Sequence, residues 1–143
     1  MQVAVKPTVM FLCTHNAGRS QMAAAWLEHL TAGRVHVFSA GSKPAQHVNS
    51  VAVAVMNEVG IDMSLTHPKR WTDAMARKAD VVVSMGCGDV CPVYEGKAYL
   101  DWEVEDPDGA SIERVRAVRD DIEAKIRELL AIIDVEPRAE PRR

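Results

Sequence analysis

The chain has 143 residues, 48% of them apolar and 26% charged, with a net charge of −3. That length suits one domain, 1–143, with a core that needs no disulfide or metal staple, and a slightly acidic balance opposes bulk nucleic-acid binding. No apolar run approaches a membrane span, and Met1-Gln-Val-Ala-Val-Lys-Pro7 lacks an export-signal pattern, so the expectation is a cytoplasmic protein whose three cysteines are catalytic or redox thiols.

Thr8 to Cys13 is a nearly continuous apolar run, the pattern of a central strand buried on both faces. Gln21 to Leu30 reads as a helix whose Met22, Trp26 and Leu30 form an apolar stripe at four-residue spacing. Val35 to Ala40 is a second strand, followed by the loop Gly41-Ser-Lys-Pro44. Val48 to Val59 has helical character and stops at Gly60. Thr72 to Lys78 is a short helix capped by Thr72, Asp80 to Met85 a third strand, and Ala98 to Trp102 a fourth. Ser111 to Ile133 is a long amphipathic helix with Ile112, Val115, Val118, Ile122, Ile126, Leu129 and Ile133 on one face. The charged segment from Glu136 reads as a frayed tail, most clearly over 137–143. Strands alternating with helices predict an α/β fold with a parallel sheet covered on both faces.

The stretch Cys13-Thr-His-Asn-Ala-Gly-Arg-Ser20 joins a strand to a helix and has the composition of an oxyanion trap. A loop wrapped around a point brings its N–H groups together on a tetrahedral anion, the next helix adds its dipole, and Arg19 supplies a bidentate fork. Thr14, His15, Asn16, Ala17, Gly18, Arg19 and Ser20 are therefore the candidate oxyanion-binding residues. Cys13 alone would read as an ordinary core cysteine. At the base of such a bowl it becomes a nucleophile, because the field that binds an anion also favours a thiolate. Asn16 tolerates the left-handed backbone of a tight loop, and Gly18 permits close approach of backbone to ligand. Ser20 is a helix cap, a donor to the Cys13 sulfur, or both. His15 reads as a solvent-facing loop residue rather than a proton carrier.

Parallel sheets bind ligands at the carboxyl ends of their strands. Cys13 lies at one such end, Gly86 to Cys91 follows the third strand, and Asp106-Pro107 follows the fourth. A carboxylate there is a candidate general acid, although Asp-Pro is also a common turn. His36, His47 and His67 have no metal-ligand spacing and read as structural or surface residues; no metal site is expected. Trp71 and Trp102 read as packing residues, with Trp102 near enough to the acid loop to line the site. Arg119 and Asp120 fit a solvated helix face.

These residues together resemble a known family. Cys13 to Ser20, Ser39-Ala-Gly41, Glu58-Val-Gly-Ile-Asp62, the Asp80 strand, Asp106-Pro107 and Val115-Arg-x-x-Arg-Asp120 look like the low-molecular-weight tyrosine phosphatase superfamily, and within it most like the arsenate reductases. The resemblance covers about Thr8 to Leu130. It implies a flavodoxin-like fold with a four-stranded parallel sheet, Cys13 as nucleophile, Arg19 and the loop amides as oxyanion ligands, and Asp106 as general acid.

Cys87 and Cys91 bear on the choice between phosphatase and reductase. A phosphatase needs one thiolate and one acid, whereas reducing arsenate to arsenite needs at least one further thiol to attack the arsenylated sulfur. Met85-Gly-Cys-Gly-Asp-Val-Cys-Pro92 carries two, at a four-residue offset, flanked by glycines. A zinc knuckle would need two more ligands at matching spacing, and none is near; inert thiols are the weaker reading. With the resemblance, this gives an expected disulfide cascade for arsenic detoxification. Cys13 attacks arsenate, Cys87 attacks Cys13, Cys91 attacks Cys87, and thioredoxin reduces the Cys87–Cys91 disulfide, with no bound cofactor. Phosphate and sulfate would compete as oxyanions, and weak phosphatase side activity is expected. The alternatives are a low-molecular-weight tyrosine phosphatase, or a reductase recycled by mycothiol or glutathione. Asp108-Gly109 follows Asp106-Pro107 where the phosphatases usually carry aromatic residues, which disfavours an aryl phosphate. Ala24 replaces a Glu that helps hold potassium in similar reductases, and Ser64-Leu-Thr-His-Pro-Lys69 does not reproduce the further ligands, so no potassium dependence is expected.

Overall fold

The computed structural model describes residues 6–86 and 96–139. In chain order the elements are β1 (Thr8–Cys13), α1 (Arg19–Thr31), β2 (His36–Gly41), α2 (Ser50–Glu58), α3 (Asp73–Lys78), β3 (Val81–Ser84), β4 (Ala98–Asp101) and α4 (Ile112–Ile132). All strand pairs are parallel and the sheet order is β2-β1-β3-β4. The chain steps from β1 to β2 on one side and to β3 on the other, so the order reverses beside β1, where open α/β sheets form their ligand crevice.

Strand alternation divides the core. Val9, Phe11 and Cys13 of β1 face a large layer with Met22, Trp26 and Leu30 of α1, Val55 and Met56 of α2, and Val115, Ile122 and Ile126 of α4. Met10 and Leu12 face the opposite side, where Val82, Ala76 of α3 and Ala79 complete a thinner layer, with Phe38 and Trp71 packed at its edge. Every residue of β1 is buried, which explains its uninterrupted apolar run. Trp26 is fully buried, so truncating it to alanine should cost about 3–5 kcal/mol.

Caps define the helix ends. The Asn49 side chain accepts from the N–H groups of Val51 and Ala52, Thr72 from Met75, and Ser111 from Arg114. Gly60, at φ +82°, closes α2 by donating its N–H to Asn57 O at 3.0 Å.

Three expectations need correction. Ile112 stands at the first helical position of α4 and is 38% exposed, so the buried stripe begins at Val115. Arg119 is not on a solvated face: its side chain is 11% exposed and Nη1 donates to Val55 O at 2.9 Å and to Glu58 Oε1 at 2.8 Å, bracing α4 against α2. Arg116 also binds Glu58, and its hydrogen bonds, with help from Arg119, outweigh desolvation and hold the Glu58 carboxyl down at about 2. The segment after α4 is not simply frayed. Val135 packs on the core, Glu136 O accepts from Arg34, and the Arg138 N–H donates to Leu30 O at 2.6 Å. Among the described residues no helix is long and apolar enough to cross a membrane.

Candidate active site

The loop after β1 is held from outside by its carbonyls. Thr14 O accepts from Lys43 N at 2.9 Å, His15 O from Ala45 N at 3.0 Å, and Ala17 O from Asn49 N at 2.8 Å. A trans peptide sets its C=O and the following N–H on opposite sides, so the N–H groups of His15, Asn16 and Gly18 turn to the inner side of the loop. Asn16 makes the turn in the left-handed region, at φ +50°. Gly41, at the end of β2, lets the loop pass: a Cβ there would lie 2.5 Å from Thr14 O and 2.8 Å from Cys13 O. His15 is exposed, as its reading required.

Cys13 is 3% exposed, and its Sγ lies 2.9 Å from Ser20 Oγ. Asn16 Nδ2 donates to that same hydroxyl at 2.7 Å. Asn16 and Ser20 are fully buried. Ser20 therefore serves the sulfur and is not a helix cap. α1 starts at Arg19, two residues earlier than the apolar stripe implied, and Gly18 holds the N-cap position without a side-chain cap. The first N–H groups of α1 thus meet no capping side chain, the arrangement that suits an anion.

Arg19 is packed, with its side chain 14% exposed. Nη1 donates to Val104 O at 3.3 Å and Nη2 lies 3.6 Å from Asp106 Oδ2. Gly86, at φ +83°, offers the guanidinium a flat face; a Cβ there would sit 2.8 Å from Nη1. Asp106 is anchored by its other oxygen, which accepts from Asp108 N at 3.0 Å, while the carboxylate stays 53% exposed. Cys13, Arg19 and Asp106 line one cleft of about 580 Å³. Gly18 has a packing role beside the expected one: a Cβ there would meet Pro107 Cγ at 2.7 Å, so glycine lets the Asp106-Pro107 turn pack against the Cys13–Ser20 loop.

Other cleft-lining residues escaped the sequence reading. His47, Asn49 and Ser50 line the cleft with Asp106, and nothing in their spacing ties them to Cys13. Trp102 does not line this cleft but packs on Phe11 at 5.9 Å between ring centroids. The described lining contains no Phe, Tyr or Trp. Among the described residues no group of three or more His, Cys, Asp or Glu could hold a metal ion. Cys87 and Cys91 lie outside the described residues. Gly86, the residue before Cys87, is tied to the loop, since Thr14 Oγ1 donates to Gly86 O at 2.9 Å.

A cysteine at the end of a central parallel strand, an arginine in the first turn of the next helix and an aspartate from a later loop meet at one crevice of a doubly wound α/β sheet, the arrangement of a candidate thiol and oxyanion site. The sequence profile of the low molecular weight phosphotyrosine protein phosphatase family matches residues 8–139, and the chain belongs to that family. Among its relatives is the glutaredoxin arsenate reductase of Synechocystis sp., 39% identical over 128 residues, which cover 87% of this chain and 97% of that protein. Similar solved structures include the thioredoxin-dependent arsenate reductase Cg_ArsC1' of Corynebacterium glutamicum, with 45% identity and a TM-score of 0.81. That match covers 90% of this chain but 62% of the other, so this chain spans under two thirds of it. The arginine phosphatase YwlE of Geobacillus stearothermophilus shares 29% identity at a TM-score of 0.79, covering 90% and 93% of the two chains.

Proposed function

We propose that this protein is an arsenate reductase that uses Cys13 as nucleophile, Cys87 and Cys91 as a disulfide relay, and thioredoxin as external reductant. The observation that carries the reading is the Cys13–Arg19–Asp106 cleft on a chain with two further thiols, the first of them one residue beyond Gly86, which hydrogen-bonds Thr14. The reductases among the relatives support it.

In the first step the Cys13 thiolate attacks arsenic, an S–As bond forms, and an As–O bond breaks. Arg19 and the inward N–H groups hold the remaining oxygens, and Asp106 gives its proton to the departing oxygen, which leaves as water. In the second step the Cys87 thiolate attacks Cys13 Sγ. The S–As electron pair stays with arsenic, which falls from As(V) to As(III) and leaves as arsenite, while two thiols become one disulfide. Cys91 then attacks Cys87, freeing Cys13, and the dithiol of thioredoxin takes over the Cys87–Cys91 disulfide. No bound cofactor enters, since both electrons come from thiols.

The phosphatase reading has one specific support, that nucleophile, guanidinium and acid also suffice for phosphoryl transfer and its hydrolysis. The absence of Phe, Tyr and Trp from the described cleft lining opposes an aryl phosphate. Incubating the reduced protein with arsenate, quenching with acid and mapping disulfides by mass spectrometry tests the relay. Cys13–Cys87 or Cys87–Cys91 is the expected product, with arsenite formed in equal amount. A phosphocysteine from phosphate esters, with no arsenite and no disulfide, would replace the reading with the phosphatase. Full turnover with glutathione or mycothiol and a Cys91→Ser variant would replace thioredoxin as reductant.

A further inference from the structure

Behind the Cys13 loop lies a buried polar network that the chemistry above does not use. Gln21, 3% exposed in the first turns of α1, donates from Nε2 to Asn16 Oδ1 at 3.1 Å and to His67 O at 2.9 Å. The backbone N–H of Lys69 donates to the same Asn16 Oδ1 at 2.9 Å. Segment 67–69 is itself pinned to the sheet, because Gly41 N donates to Lys69 O at 2.8 Å.

The polarity of this network follows from its two backbone members. A backbone N–H can only donate and a backbone C=O can only accept, so Lys69 requires an oxygen from Asn16 and His67 requires a nitrogen from Gln21. Gln21 thus presents its amino group to Asn16 Oδ1, which then holds two donors and fills both lone pairs. The Asn16 amino group is left to face Ser20, whose oxygen accepts from it at 2.7 Å. The Ser20 proton is then free to point at Cys13 Sγ, 2.9 Å away. A hydrogen bond donated to sulfur favours thiolate over thiol.

We propose that Gln21 is a positioning residue that locks the Asn16 amide and thereby aims the Ser20 hydroxyl proton at the nucleophilic sulfur. The inference rests on Cys13 being the nucleophile but not on arsenate being its substrate. Without the Gln21 donor, the Asn16 amide is held at Oδ1 by Lys69 alone and gains freedom to turn. Ser20 is then less firmly committed as a donor to Cys13.

The test is the pH profile of Cys13 alkylation by iodoacetamide in the reduced full-length protein, with the Cys13 peptide quantified by mass spectrometry. Gln21→Met keeps the length of the side chain and removes the donor; Gln21→Glu puts a carboxylate oxygen against two acceptors. The expected result is a profile displaced to higher pH, with labelling about tenfold slower at the wild-type midpoint for Gln21→Met and slower still for Gln21→Glu. The titratable and charged groups that share the cleft with Cys13 are His15, Arg19, His47, Asp106 and Asp108, and neither variant replaces any of them. In a Ser20→Ala background the Gln21→Met change should add no further displacement, since the route through the hydroxyl is already cut. Two results overturn the proposal: a lowered melting temperature with an unmoved profile, which makes Gln21 a packing residue, or an equal displacement with and without Ser20. The assay contains no arsenate, so failure of the reductase reading would appear separately, as absent arsenite.

Discussion

Gly18→Ala is the smallest change that should separate binding from catalysis in this site. The added methyl would stand 2.7 Å from Pro107 Cγ, about 0.7 Å inside the 3.4 Å at which ordinary contact begins. Gly18 is fixed on both sides: its carbonyl accepts from Met22 N at 2.9 Å as the first turn of α1, and the loop before it is tied to Asn49 through Ala17 O. Pro107 is tied only within its own turn, its carbonyl accepting from Ala110 N at 3.0 Å, so that turn is the side expected to yield, and it carries Asp106 with it. Asp106 Oδ2 already stands 3.6 Å from Arg19 Nη2, so a displacement near 0.7 Å takes the acid out of line with an oxygen held by Arg19. Misplacement of about 1 Å costs on the order of 10²-fold in rate, so kcat for arsenate should fall about 10–100-fold. The loop amides and Arg19 stay, so the inhibition constant for phosphate should change less than threefold, and overpacking should cost roughly 1–3 kcal/mol of stability. Coupled turnover assays and phosphate competition on the same preparation measure both. Wild-type kcat in a folded Gly18→Ala protein would refute the account of how the acid loop is seated.

Asp106→Asn should lower kcat about 10²–10⁴-fold with arsenate affinity retained, measured as arsenite released in a single turnover. Glu58 is held near 2, below the ordinary carboxylate value of about 4.3, chiefly by hydrogen bonds from Arg116. Its folded value is depressed, so its stabilisation is whole above the unfolded value and is lost as pH falls from there toward 2. The melting-temperature gap between wild type and Glu58→Gln should accordingly be widest near neutrality and close below pH 4; a constant gap would contradict the pairing. Turnover in potassium and sodium salts at equal ionic strength should be the same, because Ala24 offers no carboxylate and Lys69 Nζ stands 3.5 Å from Ser39 Oγ. Clear activation by potassium would overturn that expectation.

Much of the fold was legible because its signals are local. The apolar run of β1, the four-residue stripe of α1, the Thr72 cap and the Gly60 stop each reside in a few consecutive residues, and the structure places elements over all of them. Helix ends drifted by one or two positions where the cap is a backbone device, as at Gly18, or an Asn inside a longer apolar pattern, as at Asn49. Cys13, Arg19 and Asp106 could be singled out for a different reason, since each follows or adjoins a strand signal in a loaded loop, and the structure brings the three to one cleft. What stayed hidden was long-range. Arg119 looks solvated until α2 supplies Glu58 and Val55 O, and Ile112 looks buried until the first turn of α4 is seen to overhang the core. Gln21 carried a faint signal, a polar residue opening the apolar stripe of α1, but its partners at Asn16 and His67 are set by how segment 67–69 crosses the end of β2.

The site's division of labour follows from which parts are rigid. The loop after β1 is braced by segments 43–49 and 67–69, and Cys13 and its neighbouring polar side chains are almost wholly buried. A bowl of that kind reads charge and tetrahedral shape, which phosphate and arsenate share, and so it cannot choose between them. Choice must come from chemistry after binding. An S–P bond can only be hydrolysed here, whereas an S–As bond can surrender its electron pair to arsenic once a second thiol reaches the sulfur. Thr14 bears on both events, since its carbonyl helps brace the bowl and its hydroxyl holds Gly86, the residue that leads into Cys87. The residue whose carbonyl helps brace the anion loop therefore also holds, through its hydroxyl, the glycine from which the segment of the proposed reductase chemistry departs.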